Sequence, residues 1–391
     1  MKFPITPEYL DAAPEPIAIA MRELEKDILR EICKRLKLTG EFNEVAMNDI
    51  RVLRSYGLDM DAIENIIAKH SKETTPQVQN ALERVVEYNQ KYYDELATKA
   101  SVTEPLFWVS AADIAQIQEQ TLDGYRNITR SLGFAAQTNG RITFQPIAKA
   151  YQAALDKAEV KVQSGAFTLQ QAFEDAVRDL ADSGIYTIDY ASGHRDHADV
   201  AARRAVLTGL NQLTAKYAEN AAETLETELY EITAHRGARD VNKPHVWSNH
   251  KKWQGKVYST KTGGKYPSIY AVCGLGEVDG LEGANCRHHK HPFVEGVSER
   301  VYTDEQLENI DKPPFEFEGV TYTAYEATQM QRKIERTVRK LERRRIAYNA
   351  AGMVDKEQQT SIRIKRLRKE YRNFSRAAQL PTQAERMKVI E

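Results

Sequence analysis

Cysteine is scarce in this 391-residue chain: Cys33, Cys273 and Cys286 are three in number and widely spaced. An odd, dispersed set argues against a disulfide scaffold and favours synthesis in a reducing cytoplasm. No apolar run approaches the ~18 residues needed to cross a bilayer, so no membrane span is expected. Met1–Thr6 has no basic stretch leading into an apolar one, which argues against a secretory signal. There is no Cys-x-x-Cys knuckle, which excludes a standard zinc finger. The glycine-rich stretch Gly274-Leu-Gly-Glu-Val-Asp-Gly is followed by no Gly-Lys-Ser/Thr, and its third glycine comes one residue late for a dinucleotide loop. A tight turn is the expectation there.

What the chain does have is charge, unevenly placed. The net charge is −1, yet Gln329–Arg372 holds fifteen Lys/Arg against five Asp/Glu, a local net of +10 that leaves about −11 on the remainder. Asymmetry of this kind marks a binding or assembly surface. Hydrophobic content of 41% with 28% charged residues suits a protein with a real core rather than a disordered one.

Periodicity divides the chain into four regions. Residues 1–100 read as helical. Pro14 and Pro16 precede a helix near Ile17–Leu38 whose apolar positions Met21, Leu24, Ile28, Ile32 and Leu36 keep three- and four-residue spacing, with Gly40 as its cap. Asn48–Tyr56 and Met60–His70 read as two short helices separated by Gly57, and Pro76–Ala97 as a longer one. Residues 101–230 are a second helical region. It has helices at Ile147–Ser164 and Leu169–Ser183, a long one over Asp196–Glu228 interrupted by Gly209, and strand character at Gly140–Phe144. Residues 231–312 form a glycine-rich α+β module. They contain nine of the 20 glycines, six of nine histidines, two of three cysteines and two of three tryptophans, with a strand near Gly255–Thr260. Residues 313–391 return to helix as a basic C-terminal hairpin, with a short strand at Val320–Thr323 and helices at Ala324–Ala350 and Glu357–Phe374. The expected fold class is therefore α+β, mainly α, with long helices at both ends and the small module in the C-terminal half.

Two constellations could carry chemistry. His235, His245, His250, Cys273, Cys286, His288, His289 and His291 are ligand types that zinc favours, and His235, Cys286 and His288 are the candidates if a metal is held. The competing reading is that these side chains cap loops and pack against Trp247 and Trp253, so no cofactor is expected, with zinc as the alternative. Cys286 with His288 nearby would also suit a nucleophile and base, but no cysteine-protease signature surrounds them. A buried cysteine acting as a small hydrophobe is the better reading, and no catalytic residue is nominated. The second constellation is basic: Arg332, Lys333, Arg336, Arg339, Lys340, Arg343, Arg344 and Arg345 flank a narrow apolar stripe. Such a helix can neutralise phosphates without reading sequence, or it can pair with the acidic remainder of the chain or with an acidic partner.

Four stretches carry a resemblance. They are Asp189-Tyr-Ala-Ser-Gly-His-Arg-Asp with Arg203-Arg-Ala-Val-Leu-Thr-Gly-Leu-Asn-Gln; Thr233-Ala-His-Arg-Gly-Ala-Arg with His245 and Trp253-Gln-Gly-Lys-Val-Tyr-Ser; Gly283-Ala-Asn-Cys-Arg-His through Pro292-Phe-Val-Glu-Gly; and Tyr325-Glu-Ala-Thr-Gln-Met-Gln-Arg with Glu335-Arg. In this order they resemble the minor capsid proteins of tailed phages of Gram-positive hosts, which are related to Mu F-type head morphogenesis proteins. The resemblance implies a non-enzymatic structural head protein, made in the host cytoplasm and then placed in the capsid interior or beside the portal. Its implied partners are the portal protein and other capsid proteins, with packaged DNA as a further contact, so the basic residues become candidates for a DNA or portal interface. Many Mu F-type relatives have a Cys-x-Cys pair where this chain has Cys286-Arg-His288, a change that either substitutes one metal ligand for another or ends the capacity. Two other functions stay open: a metal-assisted or cysteine-dependent enzyme sited in residues 231–312, and a non-specific DNA-binding protein acting through the hairpin.

Overall fold

The computed structural model describes residues 2–37, 57–102, 108–138, 141–188, 193–241, 243–283 and 286–388. The expected helix at Asn48–Tyr56 and the cap at Gly40 lie outside them. The chain is mainly helical with small sheets, the α+β class that the patterning implies.

The N-terminal half is a helical body built around an amphipathic helix. Helix α1 (Pro7–Ala12) leads into α2 (Glu15–Lys37), whose Ile17, Met21, Leu24, Ile28, Ile32 and Leu36 are all buried. That stripe packs against α3 (Met60–Lys99), which is one continuous 40-residue helix. The sequence reading ended one helix at His70 and began another at Pro76, and the structure corrects this. Proline removes one backbone donor and normally kinks or breaks a helix. Here the buried residues Ile63, His70, Thr74, Val78, Leu82, Val85, Asn89 and Tyr93 form an unbroken inner face, and its packing outweighs the lost bond. The hydroxyls of Thr74 and Thr75 donate back to the carbonyls of His70 and Ser71, each at 2.8 Å, just before the proline.

Helix α4 (Ala111–Arg130) is followed by strands β1 (Leu132–Thr138) and β2 (Arg141–Pro146), helices α5 (Ile147–Gln163) and α6 (Leu169–Ser183), and strands β3 (Ile185–Ile188) and β4 (Arg195–His197). The four strands make an antiparallel sheet in the order β2-β1-β3-β4, with Phe134 opposite Gln145 on one side and Ile185 on the other. Helix α6 opens on a reciprocal cap between Thr168 and Gln171 and closes at Gly184. The expected long helix at Asp196–Glu228 is shorter, because Arg195–His197 pairs with β3 before α7 (Ala198–Thr224) begins.

Gly209 looked like a weakness in α7, and the structure shows its use. A Cβ at that position would lie 2.2 Å from Thr121 Oγ1 on α4, so the two helices approach as closely as they do only because position 209 has no side chain.

The largest core cluster runs from Ile5 to Tyr348 in sequence. It joins α2, α3, α4, α5, α6 and α7 with the end of the helix that starts at Ala324. A second cluster, with Phe3, Tyr92, Tyr93, Trp108 and Tyr217, seals one end of that body. The glycine-rich module follows: β5 (Leu229–Ile232), α8 (His250–Trp253), β6 (Val257–Ser259), α9 (Ile269–Cys273) and β7 (Lys290–Pro292), its three strands in the order β6-β5-β7. At Gly274–Gly280 there is the expected tight turn: Gly274 caps α9 at φ +62°, and its carbonyl lies where a Cβ on Gly280 would have to go. After a short α10 (Asp304–Glu308) and the hairpin β8–β9 (Phe315–Phe317 and Val320–Tyr322), α11 (Ala324–Ala350) and α12 (Val354–Ala377) form the C-terminal helical hairpin. A reciprocal cap between Thr323 and Glu326 starts α11 where the sequence places it. Ile334, Val338, Leu341, Ile364 and Tyr371 form the seam between its two arms.

Alanine is the better helix former by ~1 kcal/mol, but forcing a methyl into this contact costs about 1–3 kcal/mol. Gly209→Ala is therefore expected to lower the free energy of urea unfolding, and adding Thr121→Ala should recover part of the loss. A stabilised single variant would show that the α4–α7 contact is not the constraint at this position.

Candidate functional site

Much of the module's polar chemistry collects on one short stretch, residues 286–293, which joins the module to the helical body. Strand β7 pairs with β5, with Lys290 opposite Ile232, His291 opposite Glu231 and Pro292 opposite Tyr230. Around that ladder its side chains reach outward in alternation. His289 Nε2 lies 3.1 Å from Asn211 Oδ1 on α7. The Lys290 ammonium, 3% exposed, donates to Glu219 of α7 at 3.1 Å and to Glu282 at 2.9 Å. His291 stacks on Phe3 with ring centroids 4.4 Å apart, and its Nδ1 lies 3.0 Å from the Tyr93 hydroxyl of α3. One strand is thus tied to the N-terminus, to α3 and to α7.

The electrostatics are those of burial with partners. Burial alone would raise the Glu282 carboxyl, but His289 and Lys290 beside it bring it well below the usual carboxylate range. Burial drives His291 down to about 3, so it is neutral at physiological pH.

Just before β7, two of the three sequence candidates meet. Cys286 Sγ lies 3.6 Å from His288 Nδ1, and both residues are buried. The third member of the cluster is His250, at the start of α8. One ligand atom from each of His250, Cys286 and His288 lies within 4.8 Å of the others. His235 sits alongside, stacked on His288 at 4.6 Å, with its Nδ1 2.9 Å from the Arg236 carbonyl. His245 is exposed and stacks on Trp247, outside the cluster. His250 is separated from Cys286 by 36 positions, and no local spacing rule picks it out; the density of histidine in residues 231–312 was the available signal. Burial pushes the Cys286 thiol up to about 11 and the His250 imidazole down to about 4. An uncharged thiol is a poor nucleophile.

The basic candidates have separate fates. Arg343 donates to the Ala181 carbonyl at 3.0 Å and lies 3.6 Å from Glu25. Arg344 makes a two-pronged bond to Asp182, which Lys340 also faces at 3.4 Å. Arg345 pairs with Glu342, and Arg339 donates to the Arg386 carbonyl at 2.9 Å. Lys340, Arg343 and Arg344 dock α11 on the body. Arg332 lines a cavity of about 880 Å³ with Arg287, Arg386 and Asp11. Asp11 is a hub there: burial would raise its carboxyl, but Arg386, Arg287 and Arg203 around it hold it below the usual value. Lys333 and Arg336 remain exposed on the outer face.

Residues 5–375 match the family model described as phage minor capsid protein 2. The chain belongs to that family. A structural protein of Lactococcus phage LL-H is 27% identical over 316 residues, which cover 75% of this chain and 76% of that relative. A structural protein of Lactococcus phage mv4 is 34% identical over 110 residues, 28% of this chain and 80% of that relative. No solved structure matches. Within this minor capsid protein, Gly283–Gly296, one of the stretches that carry the resemblance, contains the strand that binds module to body.

The buried His291 makes that join sensitive to acid. In the unfolded chain its imidazole takes up a proton near pH 6.5, whereas the folded one resists until about pH 3. Its contribution is therefore complete above pH ~6.5 and declines as the pH falls through that window. Denaturant unfolding at pH 7 and pH 5 should differ by about 2 kcal/mol from this group alone. His291→Phe should flatten the profile even where it lowers stability overall. An unchanged slope in the variant would assign the acid sensitivity to other groups.

Proposed function

We propose that this minor capsid protein is a non-enzymatic component of the phage head that acts at or near the portal during assembly and turns the outer face of its last helix toward a polyanion, the packaged DNA. The observation that carries the reading is the set of cations left over once the hairpin has docked. On α12, Lys365, Lys369, Arg372 and Arg376 are exposed and have no ion-pair partner among the described residues. Their spacing, i, i+4, i+7 and i+11, aligns them along one side of a helix. Ile364, Tyr371 and Phe374 of the same helix are buried. Lys333 and Arg336 add exposed charge from the neighbouring arm. A regular row of unpaired cations suits a phosphate backbone, which is read by charge and not by sequence. The buried, protonated Cys286 thiol supports a structural rather than a catalytic module.

The test is a variant with Lys365→Glu, Lys369→Glu, Arg372→Glu and Arg376→Glu, measured for DNA binding and for incorporation into procapsids with the portal protein. Four phosphate contacts predict that wild-type affinity for duplex DNA falls about 100-fold between ~50 and ~200 mM salt. The variant should lose that dependence while melting like the wild type, because the exchanged side chains are exposed. Wild-type DNA binding by the variant would refute the contact. Absence of the wild-type protein from portal-containing procapsids would refute the location.

A further inference from the structure

We infer that His250, Cys286 and His288 form a binding site for a zinc-class divalent transition metal, which staples the glycine-rich module. The three ligand atoms lie within 4.8 Å of one another and come from two segments: His250 from the start of α8, and Cys286 and His288 from the stretch just before β7. Bond lengths of about 2.3 Å to sulfur and about 2.05 Å to nitrogen at a tetrahedral centre require a sulfur–nitrogen edge of about 3.6 Å. The separation of Cys286 Sγ from His288 Nδ1 is 3.6 Å.

The surroundings fix the tautomers of both rings. Gln254 Oε1 accepts the backbone N–H of His235 at 3.0 Å, which identifies that atom as the amide oxygen. It also lies 3.1 Å from His288 Nε2, so this nitrogen must carry the proton, and the lone pair is on Nδ1, the atom facing Cys286. His250 Nε2 lies 3.0 Å from the Asp279 carbonyl, which can only accept, so the His250 lone pair is on Nδ1 as well. Histidine ligands characteristically donate their other N–H to such an oxygen, which orients the ring and raises its basicity. The His288 backbone N–H donates to Cys286 Sγ at 3.4 Å, a bond that favours a thiolate there. One thiolate and two imidazoles select zinc and its neighbours over magnesium or calcium. Three protein ligands leave one tetrahedral position for a non-protein ligand.

The role is structural. The ligands tie α8 to the approach to β7, and metal bound only by the folded form adds to its stability. Ligation displaces the thiol proton to solvent, with no change of oxidation state.

The test uses the full chain. Protein purified from zinc-supplemented medium should carry about one zinc per chain, the number one metal site requires. Chelation should lower the thermal midpoint, and zinc alone should restore it. Titration of the chelated wild type with cobalt(II) should produce a near-ultraviolet sulfur-to-cobalt charge-transfer band. Cys286→Ser should abolish the band, and His250→Gln should weaken metal binding at least tenfold. His245→Gln, which alters an exposed ring outside the cluster, should behave as wild type. Absence of zinc together with absence of a cobalt band in the wild type would overturn the proposal and leave a thiol–imidazole hydrogen bond. Because the decisive arm uses wild-type protein, misfolding of a ligand variant does not obscure the result.

Discussion

The constraint on which the architecture depends is the three-residue strand Lys290–Pro292. Its backbone belongs to the module's sheet, while its side chains belong to the helical body. Such an arrangement is demanding, since an ammonium and three imidazoles are buried within six residues of Cys286. Burying polar groups costs several kcal/mol when they lack partners. Here Glu219 and Glu282 answer Lys290, Asn211 answers His289, and Tyr93 with Phe3 answers His291. Loss of the Tyr93 hydroxyl or of the Asn211 amide would remove a hydrogen bond that a buried imidazole makes across the join.

Charge is handled in a similar way at the other end of the chain. The basic hairpin and the acidic remainder compensate each other in part within the molecule: Asp182 and Glu25 receive Arg344 and Arg343, which are remote in sequence. Exposed pairs of this kind contribute little stability individually. Those that are half-buried contribute orientation, because a two-pronged arginine–carboxylate bond tolerates only a narrow range of angles. They set α11 against α2 and α6, and that placement leaves Lys365, Lys369, Arg372 and Arg376 of α12 without an ion-pair partner among the described residues.

Several elements were legible because their signals are local. The stripe of α2, the bounds of α6 at Leu169–Ser183 and the start of α11 at Ala324 all follow from residues within a few positions of the structure they specify. Helix α3 was misread because proline is a strong local signal, and a long buried face, visible only when α2 and α7 are in place, overrides it. The module's strands were mostly missed. Three residues are too few to show an alternating pattern, and β5, β6 and β7 exist because they pair with one another across about sixty positions.

By itself the sequence determined the helical class, the position of the hairpin, the concentration of histidine and cysteine in residues 231–312, and the family to which the motifs belong. Those properties depend on residue type and on spacing within a few turns. Only the tertiary structure decided that His250 meets Cys286 and His288 while His235 stacks alongside. Only it decided which arginines are consumed at Asp182 and Glu25 and which lysines and arginines of α12 have no ion-pair partner among the described residues. Both outcomes depend on partners tens to hundreds of positions apart, and packing brings such partners together in ways that no local pattern records.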